Sequence, residues 1–382
     1  MPNYIVCLST TPYLDPPTSK QEFMNRMETE VLYFDPAVTL LAPLADRKNF
    51  KRLFAFLKKG KQVRDHIINY SLPPMLPFYN RVRCVNKWNY FWLSLYIKSK
   101  MRKHHCADAM LWVYHPGHVD AIKRIQPRCL VYHCVDRHSA YKGQIDPALV
   151  DAMERELATR ADIVFCTSAG LYNTLKEHNP NCHMIPNGSN YDIFSLAAAP
   201  LPEPEELKGL SRPILGFTGA FQECIDYAVM AAAANAVPGA TLVLIGHKNP
   251  NADMSALDGM GNVKIIASMP QKRLVAYMAH FDVCLNPFKE GGLAMDVSSL
   301  KFYDYLSAGK PIASTPATRQ VLDYAEIIYL GSGPEGFADA CKRALAETGD
   351  ELKNKRMEYG RLTSWDARAA EIKRILAERE LD

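Results

Sequence analysis

SLAAAPLPEPEELKGLSRPILGFTG, residues 195–219, is where the fold is decided. Its first part is rich in Pro and Ala and carries neither a strand period nor a helix period. ILGFTG then reads as a short apolar strand ending on glycine. An alternation of strands and helices stops here and starts again. Upstream, strands fit YIVCLST, EVLYFD, AMLWVYH, CLVYHCV, DIVFCT and CHMIP, with helices between them, for example over 147–160 and 169–178. Downstream, they fit PILGFTG, TLVLIG, VKIIAS, DVCLNP, PIAST and EIIYL. Short, continuous apolar strands separated by helical stretches predict parallel sheets covered on both faces. The expected class is α/β: two Rossmann-like, doubly wound domains facing a cleft, 1–194 and 213–364, joined by a linker over 195–212. Ligands are expected at the carboxyl ends of the strands. WDARAAEIKRILAEREL, from residue 365, reads as one more amphipathic helix.

The bulk numbers narrow the function. The 382 residues are 48% apolar and 23% charged, ordinary for a globular chain with a sizeable core. A net charge of +4 argues against a nucleic-acid binder. The ten cysteines include no CxxC pair and read as reduced thiols of a cytoplasmic protein. MPNYIVCLSTT lacks the basic start of a secretory leader, and the longest aromatic-apolar run, YFWLSLYI, is far too short to span a bilayer.

The charge is uneven. Residues 47–104 carry fifteen Lys and Arg against a single acid, Asp65. RKNFKRLFAFLKKGK sets Phe50, Leu53, Phe54 and Leu57 on one helical face, with Lys51, Arg52, Lys58 and Lys59 around it. That face either docks on the core or lies on an anionic bilayer. WNYFWLSLYIKSKMRKHH places Trp88, Phe91, Trp92, Leu95 and Tyr96 at helical spacing, and here the core is the expected partner.

SSLKFYDYLSAGKP, residues 298–311, reads as a short helix. Ser298 or Ser299 is the expected cap, Leu300, Tyr303 and Leu306 share a face, and Gly309 and Pro311 end it. Lys301 in the first turn opposes the positive end of the helix dipole, so an anion is expected beside it. Asp304 lies one turn on, on the same side. Gly219, at the end of its strand, lets backbone approach a ligand closely. Gly246 and His247, and Ser268 and Met269, fall at neighbouring strand ends as candidates for lining a ligand pocket. In the first half, Asp136 ends CLVYHCVD and is the expected general base, with His115 in VYHPGH the runner-up and His133 a core residue. No spacing suits a metal, and no two aspartates are separated by a single residue.

Together these stretches carry a resemblance. TSKQEFMNRMETEVLYFDP, VYHCVDRHSAYKG, RADIVFCTSAGL and MIPNGSNYDIF in the first half, and ILGFTGA, LVLIG, FDVCLNPF and LKFYDYLSAGKPIAST in the second, resemble bacterial glycosyltransferases of the GT-B fold. The likeness is to those that build exopolysaccharide and teichuronic-acid-type chains, with the xanthan-type glucuronosyltransferase more distant. The resemblance implies a nucleotide-diphospho-sugar, UDP- before GDP-linked, held by the second half. It implies a glycan or glycolipid acceptor held by the first, and a last helix, 365–382, that crosses back to the first domain. Lys301, Ser298, Ser299, Gly219, Gly246 and Met269 then serve the donor, and Asp304 the ribose diol. No metal or other cofactor is implied. One departure stands out. Many retaining members carry two glutamates eight positions apart, the second at the Asp304 place. Here Asp296 stands eight positions before Asp304, Val297 follows it, and Glu290 in KEGGLAMD is a substitute only from a longer loop. The stereochemical outcome is left open, with inversion favoured. A sugar-nucleotide epimerase of the same fold and a non-catalytic scaffold subunit are the alternative functions.

Overall fold

The structure, a computed structural model, describes residues 4–141, 143, 145–291 and 296–378. It divides into two units: Met1–Ile185 with Ala369–Asp382, and Pro186–Arg368.

In the first unit, β1 (Tyr4–Leu8), β2 (Glu30–Asp35), β3 (Lys61–Arg64), β4 (Ile67–Ser71), β5 (Met110–Val113), β6 (Cys129–Cys134), β7 (Ile163–Cys166) and β8 (Cys182–Met184) form one sheet. Its order is β3-β4-β2-β1-β5-β6-β7-β8. All pairs are parallel except β3 with β4. β5, β6 and β7 are buried along their whole length. That is why they read as unbroken apolar runs rather than alternating ones. The β3–β4 hairpin was not foreseen: KQVR is polar and mostly exposed, as suits an edge strand.

The second sheet is wholly parallel, with order β11-β10-β9-β12-β13-β14. Its strands are β9 (Ile214–Thr218), β10 (Thr241–Gly246), β11 (Val263–Ala267), β12 (Val283–Asn286), β13 (Ile312–Ser314) and β14 (Tyr329–Leu330). Separate apolar clusters of this unit gather around Leu215, Phe217 and Leu244, and around Val243, Ile245 and Tyr305.

Three expectations are corrected. Residues 195–212 are not a free linker. Ala197 and Leu207 within it, and Phe194 just before it, are buried in a core cluster of the second unit, and that unit begins at Pro186. Arg212 is tied down too, to the His280 carbonyl at 2.9 Å and to Glu203 at 2.7 Å. Isolated apolar anchors with no period give no pattern to read. The stretch 47–57 is not one helix but a 3-10 turn (Arg47–Asn49), one helical turn (Phe50–Leu53) and a second 3-10 turn (Ala55–Leu57), with Phe50, Phe54 and Leu57 exposed.

The third correction concerns the Arg83–Lys103 helix. It turns Trp88, Trp92 and Leu95 outward and buries Tyr90, Leu93, Ile97 and Met101 together with Asn86, Asn89 and Ser94. The asparagines decide the rotation. Asn86 Nδ2 donates to the Gly117 carbonyl and to Asp120, and Asn89 exchanges both of its amide bonds with the Leu76 backbone. Polar groups with such partners are buried at little net cost, while exposing them would leave buried backbone unpaired.

The last helix, Trp365–Glu378, starts in the second unit, where the Trp365 N–H donates to Ser189. Its later residues group with the first unit, where Lys373 pairs with Glu28.

The far end of the Leu300–Ser307 helix is braced by Arg356, which is fully buried. Its guanidinium donates to the Gly309 and Ile327 carbonyls and to the Glu347 carboxylate. Glu347→Ala strands that charge. It is expected to cost about 3 kcal/mol, read as a fall in the urea midpoint, with Glu347→Gln losing less. An unchanged midpoint for Glu347→Ala would refute the brace.

Candidate functional site

The second unit collects its chemistry where β9, β10 and β12 end against the Leu300–Ser307 helix. Ser299 is the helix N-cap, but its hydroxyl does not cap. It donates to Asn286 Oδ1 at 3.0 Å, and Asn286 Nδ2 donates in turn to Ser314 Oγ at 2.9 Å. Ser298 is held by Asn187, whose backbone N–H reaches the Ser298 hydroxyl at 3.1 Å and whose side-chain amide reaches its carbonyl at 2.7 Å. The expected serine cap is therefore replaced by two asparagine clamps. They fix the start of the helix and leave its first-turn amides without a bond from Ser299.

Lys301 sits just inside that start. Its Nζ lies 4.9 Å from the Phe217 ring centroid and 4.8 Å from that of Phe288. Among the described residues it makes no ion pair. Burial pulls its pKa down to about 8, opposed by Cys224 and then Asp304. Two aromatic faces replace part of the lost hydration, and only part. Glycines make the space. Gly219 has φ of +129°, and a Cβ there would stand 3.0 Å from Lys301 Cε. A Cβ on Gly246 would stand 1.9 Å from the Gly219 carbonyl oxygen. A side chain at either position would push into the lysine or its neighbouring backbone.

The other donor-side candidates are less engaged. Asp304 and Met269 are half-buried, and His247 and Ser268 are exposed at their strand ends. Glu290, the suggested substitute glutamate, is engaged at the next helix. Its carboxylate accepts from Ser332 Oγ at 2.7 Å and from the Gly333 N–H at 3.3 Å, at the head of the Gly333–Leu345 helix. Asp296 and Val297 are half-buried, and residues 292–295 of that loop lie outside the described residues.

The first unit holds a cavity of about 460 Å³ whose lining includes Lys20, Asn80, His115, Asp136, His138 and Tyr141. Asp136 is at its rim, open to solvent yet ringed by protein. Dehydration raises its carboxyl above the usual value, opposed by Lys20 and by a hydrogen bond with Tyr141. Lys20 is buried, and dehydration lowers its pKa against the pull of Asp136. His115 Nδ1 accepts the Gly117 N–H at 2.9 Å, which leaves the proton on Nε2. That tautomer suits a hydrogen-bond donor and not a base. His138 is the reverse. Its Nε2 donates to the Tyr114 carbonyl at 2.9 Å, and Nδ1 has no partner among the described residues. Burial holds its pKa to about 4. Asn80 Oδ1 is likewise buried without a partner among the described residues. Two unsatisfied acceptors lining one cavity are a place for hydroxyl donors.

Lys20, Asn80 and His138 escaped the sequence reading. A usable signal for Lys20 was present. Thr18 and Gln21 form a capping box that starts the Ser19–Met24 helix soon after β1, which puts Lys20 in a first turn. Asn80 and His138 lie outside any periodic pattern. His133, read as core, is buried against Trp112, Tyr114 and Phe165. Lys51, Arg52, Lys58 and Lys59 are all exposed. Among the described residues no His, Cys, Asp or Glu group could hold a metal, and no helix is long and apolar enough to cross a membrane.

Comparison with known proteins bears on the fold and the activity. A family model, Glycosyl transferases group 1, matches residues 212–347. TuaH of Bacillus subtilis (strain 168), provisionally named a teichuronic acid biosynthesis glycosyltransferase, is 26% identical over 277 residues, 67% of this chain and 68% of its own. Sucrose-phosphate synthase from Thermosynechococcus elongatus superposes with a TM-score of 0.72 at 15% identity, covering 98% of each chain. Anabaena HepE, solved with UDP and glucose, gives 0.67 at 12% identity over 98% of this chain and 99% of its own. These findings support a glycosyltransferase with the GT-B fold.

A half-buried charged lysine held among rings, with no ion pair among the described residues, costs the protein stability. Lys301→Met is expected to raise the thermal midpoint by a few degrees, worth about 1 kcal/mol. The sign follows from a pKa below the free-lysine value: the cost is full below about 8 and fades as pH rises toward the ordinary lysine range. The gain should shrink accordingly between pH 7 and pH 10. A variant less stable than wild type at pH 7 would overturn this reading.

Proposed function

We propose that this glycosyltransferase moves a sugar from a nucleotide-diphospho-sugar, UDP- before GDP-linked, to a growing cell-surface glycan carried on a lipid. One observation carries the donor half: the Lys301 ammonium, 4.8 Å and 4.9 Å from two ring centroids, at the start of a helix whose cap serine is turned away. A diphosphate supplies the negative charge that this arrangement lacks. It accepts from the first-turn amides and pairs with Lys301, while Asp304 receives the ribose hydroxyls. Gly219 and Gly246 keep the approach open, and Ser298, Ser299 and Met269 border it. The positive charge for the leaving group comes from Lys301 and the helix end, so the reading needs no metal. The UDP preference takes support from HepE, which was solved with UDP and glucose.

The acceptor half falls to the first unit. In our reading an acceptor hydroxyl gives its proton to Asp136 as its oxygen attacks the anomeric carbon. The bond from that carbon to the diphosphate breaks, and nucleoside diphosphate leaves with the electron pair. This course inverts the anomeric centre. Lys20 keeps Asp136 ionised despite its crowded surroundings, and His138 Nδ1 and Asn80 Oδ1 accept from neighbouring sugar hydroxyls. His115 serves as a donor, in place of the runner-up base. The ten unpaired cysteines support a reducing, cytoplasmic setting. The exposed Lys51, Arg52, Lys58 and Lys59 support a lipid-borne acceptor reached at the anionic inner membrane.

Two substitutions separate the halves. Lys301→Ala should lower kcat/KM for the donor by about a hundredfold or more and weaken UDP binding, with the circular dichroism spectrum unchanged. Asp136→Asn should lower kcat by about a hundredfold or more while UDP binds as before. A donor kcat/KM within twofold of wild type for the first, or an unchanged turnover for the second, would remove that residue from the mechanism.

A further inference from the structure

We propose that the outward face of the Arg83–Lys103 helix, with the hollow beside it, docks on the surface of an anionic phospholipid bilayer. The helix has a complete inward face, pinned by Asn86 and Asn89, so its outward residues are spare to the fold. They are not surface-like. Trp88 is 57% exposed and Trp92 53%, whereas the other two tryptophans of the chain, Trp112 and Trp365, are buried. The exposed pair forms a cluster with Phe91, at centroid distances of 6.3 Å for Trp88–Phe91, 6.1 Å for Trp88–Trp92 and 5.2 Å for Phe91–Trp92. Tryptophan favours the boundary between headgroups and acyl chains, where the ring is out of water and the indole N–H stays wet.

Charge lies on both flanks. On one side is a hollow of about 720 Å³. Its Lys87, Lys123 and Arg124 make no ion pair among the described residues, while its Arg83 and Arg160 are bound to Glu156. The Arg124 guanidinium lies 4.1 Å from the Phe91 ring centroid, so ring and cation are presented together. On the other side the Tyr96 hydroxyl donates to the Phe56 carbonyl at 3.0 Å. This joins the helix to the 47–57 segment, where Phe50, Phe54 and Leu57 are exposed beside Lys51 and Arg52. Apolar rings between free cations match a layer of phosphates above acyl chains. A second copy of this chain fits worse, because a two-fold contact would set this basic surface against itself. The proposal rests on the lipid-carrier reading for its biological sense, but its own evidence is the Trp88–Trp92 cluster with Lys87, Lys123 and Arg124, and it is tested without donor or acceptor.

The test is co-sedimentation of the full chain with phosphatidylcholine vesicles, plain or containing about one-third phosphatidylglycerol. Wild type should bind the mixed vesicles at least tenfold more tightly, with a blue shift of tryptophan emission. Trp88→Ala/Trp92→Ala and Lys87→Gln/Lys123→Gln/Arg124→Gln should each weaken that binding by about tenfold. Trp88→Phe/Trp92→Phe should recover part of it. UDP binding, measured on the same samples, should match wild type in all three variants. Loss of vesicle binding with UDP binding intact therefore supports the docking surface and leaves the donor reading untouched. Equal binding to both vesicle types, or unchanged binding by the alanine pair, overturns the proposal. So does a lipid-free dimer of wild type that the alanine pair abolishes.

Discussion

The second unit is organised around one half-buried ammonium group. Lys301 lies between the faces of Phe217 and Phe288, at the carboxyl edge of a parallel sheet. Much of the surrounding sequence is explained by holding it there. Gly219 takes a backbone conformation that other residues avoid, Gly246 carries no side chain because the Gly219 carbonyl occupies the space, and Asn286 links the helix start to β13. Tyr305, on the next turn of the helix, accepts the Thr218 N–H at 2.9 Å and so fixes β9 beside it. The ring faces offset only part of the cost of removing a cation from water. The remainder is a cost to the fold that, in the proposed reading, the donor's diphosphate would relieve. Preorganisation of this kind puts the expense into folding, so that little reorganisation is left for the moment of reaction.

How far the sequence could be read follows from which forces leave a periodic trace. Parallel strands buried on both faces must be apolar throughout, so the alternation and its restart near residue 213 were legible. Lys301 was legible because a cation in a first helical turn opposes the helix dipole and asks for a reason. The asparagine clamps were not. Asn187 is more than a hundred residues from Ser298, and nothing local announces the pair. The same holds for Ala197 and Leu207, single anchors in a Pro- and Ala-rich stretch that reads as linker. His138 and Asn80 matter through a missing partner, and a sequence does not show which partners are missing.

The Arg83–Lys103 helix failed for a more instructive reason. Two stripes were available, one aromatic and one mixed with asparagine and serine, and hydrophobicity alone chooses the first. The fold chose the second, because its polar members bond the Leu76 and Gly117 backbone, which would otherwise be buried unpaired. Burial followed hydrogen-bond demand rather than apolar content. The aromatic stripe was left outside, and it is this inversion that gives the surface its unusual character.

The two units repeat one architecture and differ in how each balances a buried lysine. Lys20 lies in the first turn of a helix soon after β1, and Lys301 in the first turn of a helix soon after β12. Burial lowers the pKa of both. Lys20, however, shares its cavity with Asp136, whose charge supports it, and around the pair stand neutral acceptors and a neutral imidazole. Lys301 has aromatic faces and glycine backbone where Lys20 has a carboxylate, with Asp304 a lesser influence a turn away. The first arrangement is close to electrically neutral and rich in hydrogen-bond acceptors, which suits a hydroxylated, uncharged ligand. The second is net positive and poor in acceptors, which suits a polyanion. In the proposed reading, a fold that gives both halves the same strand ends thereby separates a sugar site from a diphosphate site by where its carboxylates stand.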